Sequence, residues 1–309
     1  MEILEASVEP PTEESHIVLL GRPPLEEFFG FMKLKAARPE NVNERRLAEE
    51  WRLANDHVVR LRAEEADIAD APQIFELPGP WAELSRRVEA SKPFQRGFAA
   101  VPAVIGMIDL DRIVVFQKSI NLAHVKRIQE RLGDAPSAER VFETCFPNEE
   151  NTLPLRASRA SGSTFIFTSP SNDFRFMEAA LLSTGDLAGY RGYGPAGPVI
   201  GLVLGFGINC VSAVSAENRL ILMNGSHRAF ALREMGVRYL PCAVVKVSRR
   251  AELPLVCPKE VHQNPDRYLR HPRPPMLKDY FDPCLRKIVA VPVQNRQIRV
   301  SFRIESMDV

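Results

Sequence analysis

Residues 219–246, RLILMNGSHRAFALREMGVRYLPCAVVK, constrain the fold more than any other part of the chain. Residues 220–223 form a short apolar run suited to a buried strand. Asn224 and Gly225 follow as a sharp turn, and Ser226 is placed to cap a helix. The segment therefore predicts a strand that passes through a tight turn directly into a helix.

The helix is predicted to end near Met235. Ala229, Leu232 and Met235 recur at helical spacing, and Gly236 is a good C-terminal stop. Residues 239–247 then return as a second strand.

The predicted turn concentrates positive charge at the start of the helix. His227 and Arg228 lie in the first turn, where the helix dipole disfavours cations. Backbone N–H groups, the dipole and a guanidinium together favour an anion, most simply phosphate. A solvated surface pair is the alternative interpretation. The order of strand, N-G-S-H-R turn, helix and strand is more specific than its separate parts, and it favours an anion site.

These residues resemble the ParB/sulfiredoxin superfamily, which carries a strand, a Gly-X-His/Arg-Arg turn, a helix and a V-P strand. Residues 225–228 look like that turn, and residues 237–241 look like the exit strand. Residues 107–132 resemble the first box of the family, a short strand, a turn and a helix. The resemblance spans roughly residues 104–248.

The resemblance implies that the turn binds the phosphates of ATP or CTP, with Mg²⁺. The implied nucleotide-binding residues are Asn224, Gly225, Ser226, His227, Arg228 and His124. His124 falls near a phosphate-contacting lysine of the family. Ser226 stands where sulfiredoxins carry cysteine, and a hydroxyl cannot supply their thiolate chemistry, so sulfinic acid repair is not expected.

The short strand that opens the first box carries two carboxylates that could act in catalysis. Asp109 and Asp111 are the family-compatible candidates for binding a metal–nucleotide complex or accepting a proton. Their alternation with Ile108 and Leu110 predicts that they point away from the core. His227 completes the candidate catalytic set.

A DNA partner is possible but not favoured. ParB proteins need a helix-turn-helix domain after the nucleotide domain, and the Pro-rich residues 249–309 are predicted to hold no helix pair. The net charge of +1 gives no general attraction to nucleic acid or membrane. No apolar segment is long enough to span a membrane, and residues 1–11 carry no secretory pattern.

The five cysteines, Cys145, Cys210, Cys242, Cys257 and Cys284, show no C-x-x-C spacing. Their odd number predicts reduced thiols in a cytoplasmic setting. Cys210 and Cys242 are expected in the core, and no metal site is assigned because His262 and His271 match no usual spacing.

The predicted class is α+β, in three parts. Residues 1–103 are a mainly helical extension with a loose acidic start, and residues 24–69 carry most of its helix. Residues 104–248 are the ParB/sulfiredoxin-like core, interrupted by an insertion at 133–198. Residues 249–309 end in a hairpin formed by 288–293 and 297–304.

The insertion at 133–198 is the second candidate for function. A strand at 163–168 precedes a helix at 173–182 and a Gly-rich stretch at 185–197. Ser171, Asn172, Asp173 and Arg175 cluster at the predicted helix start, as ligand-reaching groups or as ordinary caps.

The leading functional prediction is a nucleotide-binding protein that hydrolyses ATP or CTP, or transfers phosphate to a small-molecule or protein acceptor. A non-enzymatic switch, in which the nucleotide orders the insertion so that a partner or DNA docks, is the first alternative. An interaction scaffold without a ligand is the second. Nucleotide affinity and turnover distinguish the three.

Overall fold

The computed structural model describes residues 12–36, 43–147, 154–171, 173–186, 194 and 199–307. Helices and strands mix throughout, and the α+β class is confirmed. The chain forms two compact units, Met1–Asn148 with Asn209–Val293, and Glu149–Ile208 with Gln294–Val309. The first unit therefore contains most of both extensions and the predicted core without residues 149–208, so the separate segment begins and ends later than the insertion predicted at 133–198.

A five-stranded mixed sheet forms the centre of the first unit. Its strands, in spatial order, are β2 (Ala103–Asp109), β11 (Tyr239–Lys246), β9 (Ser212–Ala216), β10 (Arg219–Asn224) and β3 (Val114–Val115). β11 runs parallel to β9, and β10 runs parallel to β3, whereas the other two pairs are antiparallel. The predicted strand–turn–helix–strand order of residues 219–246 is confirmed.

A second sheet of three antiparallel strands corrects the prediction for the chain start. β1 (Glu13–Leu19) lies between β12 (Arg286–Pro292) and β4 (Ser119–Asn121). Ile17, Val18 and Leu19 are buried. The acidic residues before them suggested a loose segment, but this apolar run supplies a strand.

Ten α-helices lie within the described residues, all in the first unit. They are α1 (Leu25–Lys35), α2 (Glu44–Glu64), α3 (Gly79–Glu89), α4 (Lys92–Gly97), α5 (Leu122–Leu132), α6 (Ala138–Cys145), α7 (Ser226–Glu234), α8 (Leu253–Val256), α9 (Lys259–His262) and α10 (Pro265–Leu269). The helices α1 and α2 confirm the predicted helical character of residues 24–69. Short 3₁₀ helices cover Leu110–Arg112, Thr184–Asp186, Arg250–Glu252 and Leu277–Phe281.

Two apolar clusters stabilise the first unit. One joins the central sheet to α8, α9 and α10 through residues such as Ile221, Leu253 and Leu269. The other joins α1 and α2 to β1 and β12 through Phe28, Val58 and other residues. Because α8, α9 and α10 have only four or five residues each, the tail forms no helix pair of DNA-reading size within residues 249–307.

The described residues of the second unit form five strands and the 3₁₀ helix Thr184–Asp186. β6 (Thr164–Ser169) lies between β5 (Arg156–Ser161) and β13 (Arg296–Ser301), and β7 (Arg175–Leu182) pairs with β8 (Val199–Gly205). The helix predicted at 173–182 is wrong, because backbone pairing with β8 overrides the helical propensity of the F-M-E-A-A-L-L run. The Gly-rich stretch lies mostly outside the described residues.

The predicted C-terminal hairpin is also wrong, although both of its strands exist. β12 pairs with β1 in the first unit, and β13 pairs with β6 in the second. Alternating apolar residues specify strands but not their partners, and the partner of β12 is β1, near the opposite end of the sequence.

Four cysteines, Cys145, Cys210, Cys242 and Cys257, are buried free thiols, and Cys284 is exposed. The core positions predicted for Cys210 and Cys242 are confirmed. Burial raises the pKa of Cys145 and of Cys210 to about 12, which keeps both thiols protonated and unreactive at neutral pH.

Candidate functional site

Gly225 makes the joint between β10 and α7 possible. Its φ is +91°, a backbone conformation that L side chains rarely adopt. A Cβ at this position would lie 2.7 Å from Cγ2 of Val211. Conformation and close packing therefore both require glycine at the turn.

Ser226 does not cap α7, contrary to the prediction. Gly225 occupies the N-cap position, and no side chain caps the helix. Ser226 is the first helical residue and is 6% exposed. The Asn224 side chain instead accepts the N–H of Gly225 at 2.8 Å. Because Ser226 is already helical and the N-cap residue is a glycine, the start of α7 carries no side-chain cap.

The helices α5 and α7 lie side by side and point the same way. The rings of His124 and His227, near the two helix starts, are 5.1 Å apart. Near the opposite ends, Gln129 Nε2 donates to Glu234 Oε2 at 2.8 Å. Parallel helix dipoles bring two partial positive charges together at the histidine end. Asn121 caps α5 by accepting the N–H of His124, whereas α7 has no such cap.

Three histidines occupy this positive end. Burial lowers the pKa of His227 to about 3, and His124 is the next cause. Burial, with Arg127 as the next cause, also lowers the pKa of His124. Burial likewise lowers the pKa of His16, on β1. The three rings are therefore neutral at pH 7, because this environment disfavours additional positive charge.

Arg228 carries a charge with no acidic partner. Its Nη1 donates to the backbone carbonyls of Thr144 (3.3 Å), Cys145 (3.4 Å) and Asn209 (3.0 Å). Among the described residues no carboxylate lies within 4.0 Å of it, and burial lowers the pKa of its guanidinium. Arg228 thus stabilises the end of α6 and leaves a net positive charge beside the histidines.

The candidate carboxylates lie at the other end of α7. Asp111 binds Arg233, in the last turn of α7, at 2.8 and 3.2 Å. Asp109 binds Arg238 at 2.8 Å and is only 7% exposed, so its predicted outward orientation is wrong. A nine-residue helix is about 13 Å long, so these carboxylates do not converge with Gly225.

Four residues near the histidines were not singled out from the sequence. They are Glu14, His16, Asn121 and Arg127. Glu14 accepts hydrogen bonds from Asn121 and, at 3.4 Å, from Arg127. The H-I-V-L-L run at 16–20 is the signal that identifies β1, and β1 places Glu14 and His16 at the site.

The polar cluster of the insertion belongs to the second unit. Asp173 accepts hydrogen bonds from Arg175 and from the N–H of Gly207, each at 2.8 Å. Ser171 accepts the N–H of Asp173 at 3.2 Å. Asn172 lies outside the described residues. These groups order the entry to β7 rather than start a helix.

A cleft of about 470 Å³, including its open mouth, lies against β1 and α1. None of the three histidines lines it. Its charged groups are engaged, since Glu27 binds Lys118 at 2.7 Å and Arg267 at 3.2 Å, and Arg22 binds Asp279 at 2.9 Å. The histidine end of α5 and α7 is therefore the stronger candidate for an anion site.

Comparison of the chain with protein-family models, curated proteins and solved structures gives no significant match. The resemblance to the ParB/sulfiredoxin superfamily therefore stays a prediction. Within the described residues, every helix is too short or too polar to cross a lipid bilayer.

Proposed function

We propose that the protein binds a nucleoside triphosphate, ATP or CTP. The phosphate groups of the nucleotide bind where the N-terminal ends of α5 and α7 lie side by side. The observation that carries the proposal is the unbalanced charge of Arg228 beside two neighbouring histidines, His124 and His227, where two parallel dipoles meet. Phosphate neutralises this charge and accepts hydrogen bonds from the uncapped first turn of α7.

Binding is expected to change the protonation of the histidines. A phosphate beside His124 and His227 favours their charged forms and opposes the effect of burial. The bound rings then donate hydrogen bonds to phosphate oxygens. Binding therefore takes up protons, and affinity increases as the pH falls toward 6.

Glu14 is the carboxylate suited to Mg²⁺ at this end. Its charge acts on His16 and His124, and its oxygens are the ligand type that Mg²⁺ prefers. Mg²⁺ held there would neutralise part of the phosphate charge. Glu14 would release Arg127, whose side chain is exposed, to take part in this role.

Binding without turnover, as in a nucleotide-dependent switch, is better supported than hydrolysis or phosphate transfer. The predicted catalytic carboxylates Asp109 and Asp111 form ion pairs at the far end of α7. Phosphate transfer is the second candidate because Glu14 supplies one carboxylate at the histidine end. Formation of nucleoside diphosphate, the leaving group of both hydrolysis and phosphate transfer, separates turnover from binding alone.

The proposal is tested by isothermal titration with ATP, CTP, GTP and UTP, each with and without Mg²⁺. ATP or CTP should bind, and His124→Gln and His227→Gln should each weaken binding by about 10- to 150-fold, the worth of one charged hydrogen bond. His262→Gln, a matched change in α9, should bind like the wild type. Absence of heat with all four nucleotides, or equal affinity in all three variants, contradicts the proposal.

A further inference from the structure

We propose that His57, Asp282 and Cys284 form a binding site for one Zn²⁺ ion. One potential ligand atom from each residue lies within 4.8 Å of the other two. His57 is on α2, and Asp282 and Cys284 follow the 3₁₀ helix Leu277–Phe281. The sequence gives no spacing signal for this site, because about 225 residues separate its two parts. The site is independent of the nucleotide proposal.

The donor atoms select zinc over the common hard cations. Imidazole nitrogen, thiolate sulfur and carboxylate oxygen are the three protein ligand types of Zn²⁺. Mg²⁺ and Ca²⁺ prefer oxygen ligands alone. Zinc–ligand bonds of about 2.0–2.3 Å place ligand atoms roughly 3–4 Å apart. His57 Nε2 and Asp282 Oδ2, which are 2.7 Å apart, need to separate slightly, and Cys284 Sγ needs to move by at most about 1 Å, because it lies within 4.8 Å of both. Cys284 is exposed and free to make that adjustment.

The backbone under the three side chains is held firmly. Val58, next to His57, and Leu285, next to Cys284, are buried in the same apolar cluster. Asp282 Oδ1 accepts the N–H of Cys284 at 2.8 Å, and the Asp282 carbonyl accepts the N–H of Leu285 at 3.1 Å. The ligand-bearing segments are thus already positioned before a metal ion arrives, which lowers the entropic cost of binding.

The hydrogen bonds of His57 distinguish a metal site from a cysteine nucleophile. Its Nε2 lies 2.7 Å from Asp282 Oδ2, and its Nδ1 lies 3.4 Å from Arg60 Nη2. A cysteine nucleophile needs a hydrogen bond to an imidazole nitrogen that acts as its base. The two nitrogens of His57 contact Asp282 and Arg60 instead of Cys284, so a nucleophile–base pair is not formed. A metal site requires only that the three ligand atoms lie near one another, as they do here.

Zinc binding follows a simple proton balance. The Cys284 thiol loses its proton to solvent as the Zn–S bond forms. With Nε2 as the ligand, the neutral His57 ring carries its proton on Nδ1. Arg60, which is exposed, then turns away from Nδ1. Because the side chains of His57 and Asp282 are 20% and 27% exposed, water can take the fourth position.

Alkylation of Cys284 provides a direct test. The other four cysteines are buried, so iodoacetamide should react with the folded protein at Cys284. One equivalent of Zn²⁺ should slow this reaction by about tenfold or more, since a zinc-bound thiolate is no longer a free nucleophile. The same concentration of Mg²⁺ should have no effect. An unchanged rate with Zn²⁺ overturns the proposal.

Variants locate the site. His57→Gln and Asp282→Asn should each lose zinc protection of Cys284, while Arg60→Gln, which removes a neighbouring cation but no ligand, should keep it. Equal protection in folded His57→Gln and Asp282→Asn, checked by circular dichroism, would show that cysteine alone binds zinc, and would overturn the proposal. If either variant unfolds, Co²⁺ is added to the wild type instead. We expect a thiolate-to-cobalt absorption band that disappears when Zn²⁺ is added. Absence of this band contradicts the metal site.

Discussion

The arginines at the two ends of α7 have different partners. At the C-terminal end, Asp111 pairs with Arg233, and Asp109 pairs with Arg238. At the N-terminal end, Arg228 has only carbonyl partners, and the neighbouring histidines are neutral because burial lowers their pKa values. Charges at one end are balanced within the protein, whereas the other end has an excess of positive charge.

This difference separates structural residues from candidate ligand-binding residues. Ion pairs of opposite charge need no further partner, and these two connect Arg233 of α7 and Arg238, which follows α7, to the residues at the end of β2. An unbalanced cation at a helix start is electrostatically unfavourable, and a bound anion removes the cost. The difference therefore supports the proposed phosphate binding at the Gly225 end and a structural role for the ion pairs at the Asp109 end.

The largest difference between the ends is expected for glycine substitutions. Gly225→Ala should lower the free energy of unfolding by about 2–6 kcal/mol, because a positive φ and a 2.7 Å contact with Val211 both oppose a Cβ. Gly236→Ala, at the other end, meets only the strain of its φ of +88° and should cost about 1–3 kcal/mol. Urea denaturation measures both, and a Gly225→Ala cost no larger than that of Gly236→Ala contradicts the close packing.

The free energy of unfolding should fall as the pH falls, because His227 is buried in its neutral form. The pKa of His227 is about 3 in the folded protein and about 6.5 when unfolded, so the unfolded chain binds more protons between these values. The stability contributed by neutral His227 is complete above pH 6.5 and is lost at up to about 1.4 kcal/mol per pH unit as the pH falls. Denaturation between pH 7 and 5 should be less pH-dependent in His227→Gln than in the wild type. Equal slopes would remove His227 from this role.

Arginine substitutions should separate binding from stability. Arg228→Ala should weaken nucleotide affinity by about 1.5–3 kcal/mol and also lower stability, since three backbone carbonyls lose their donor. Arg233→Ala removes the nearer of the two arginine partners of Asp111 and should leave affinity unchanged. Titration calorimetry and urea denaturation of both variants measure the two effects. Loss of affinity in Arg233→Ala alone would reverse the assignment of the ends.

The smallest effect is expected for Asp111→Asn. Its partly exposed ion pair with Arg233 is worth about 0.2–1 kcal/mol of stability. Nucleotide affinity and any phosphate release should stay at the wild-type level. A much lower rate of phosphate release with unchanged affinity would instead restore Asp111 as a catalytic residue.

The sequence predicts local structure well where all the residues that specify an element lie in one short segment. The turn at Gly225 is such a case, because apolar strand residues, a left-handed glycine and a helix follow one another directly. The sequence also identifies His124 and His227 separately. It does not show that α5 and α7 lie parallel, which is what brings the two rings together.

Long-range pairing explains the remaining errors. β1 completes the histidine cluster with His16, but its acidic first residues suggested a loose segment. Asp109 and Asp111 carry no local sign that Arg238 and Arg233 will bind them, more than 120 residues away. The helix predicted at 173–182 fails because a strand partner overrides local propensity.

Nuclear magnetic resonance of the six histidine rings tests the central claim most directly. With ¹³C-labelled histidine, saturating ATP or CTP should shift the ring signals of His124 and His227 and raise the pKa of His227 above its value of about 3. His57, His262 and His271 should be unaffected and serve as internal controls. If a nucleotide binds while the signals of His124 and His227 stay unchanged, the phosphate site lies elsewhere, and the account given for the two ends of α7 is wrong.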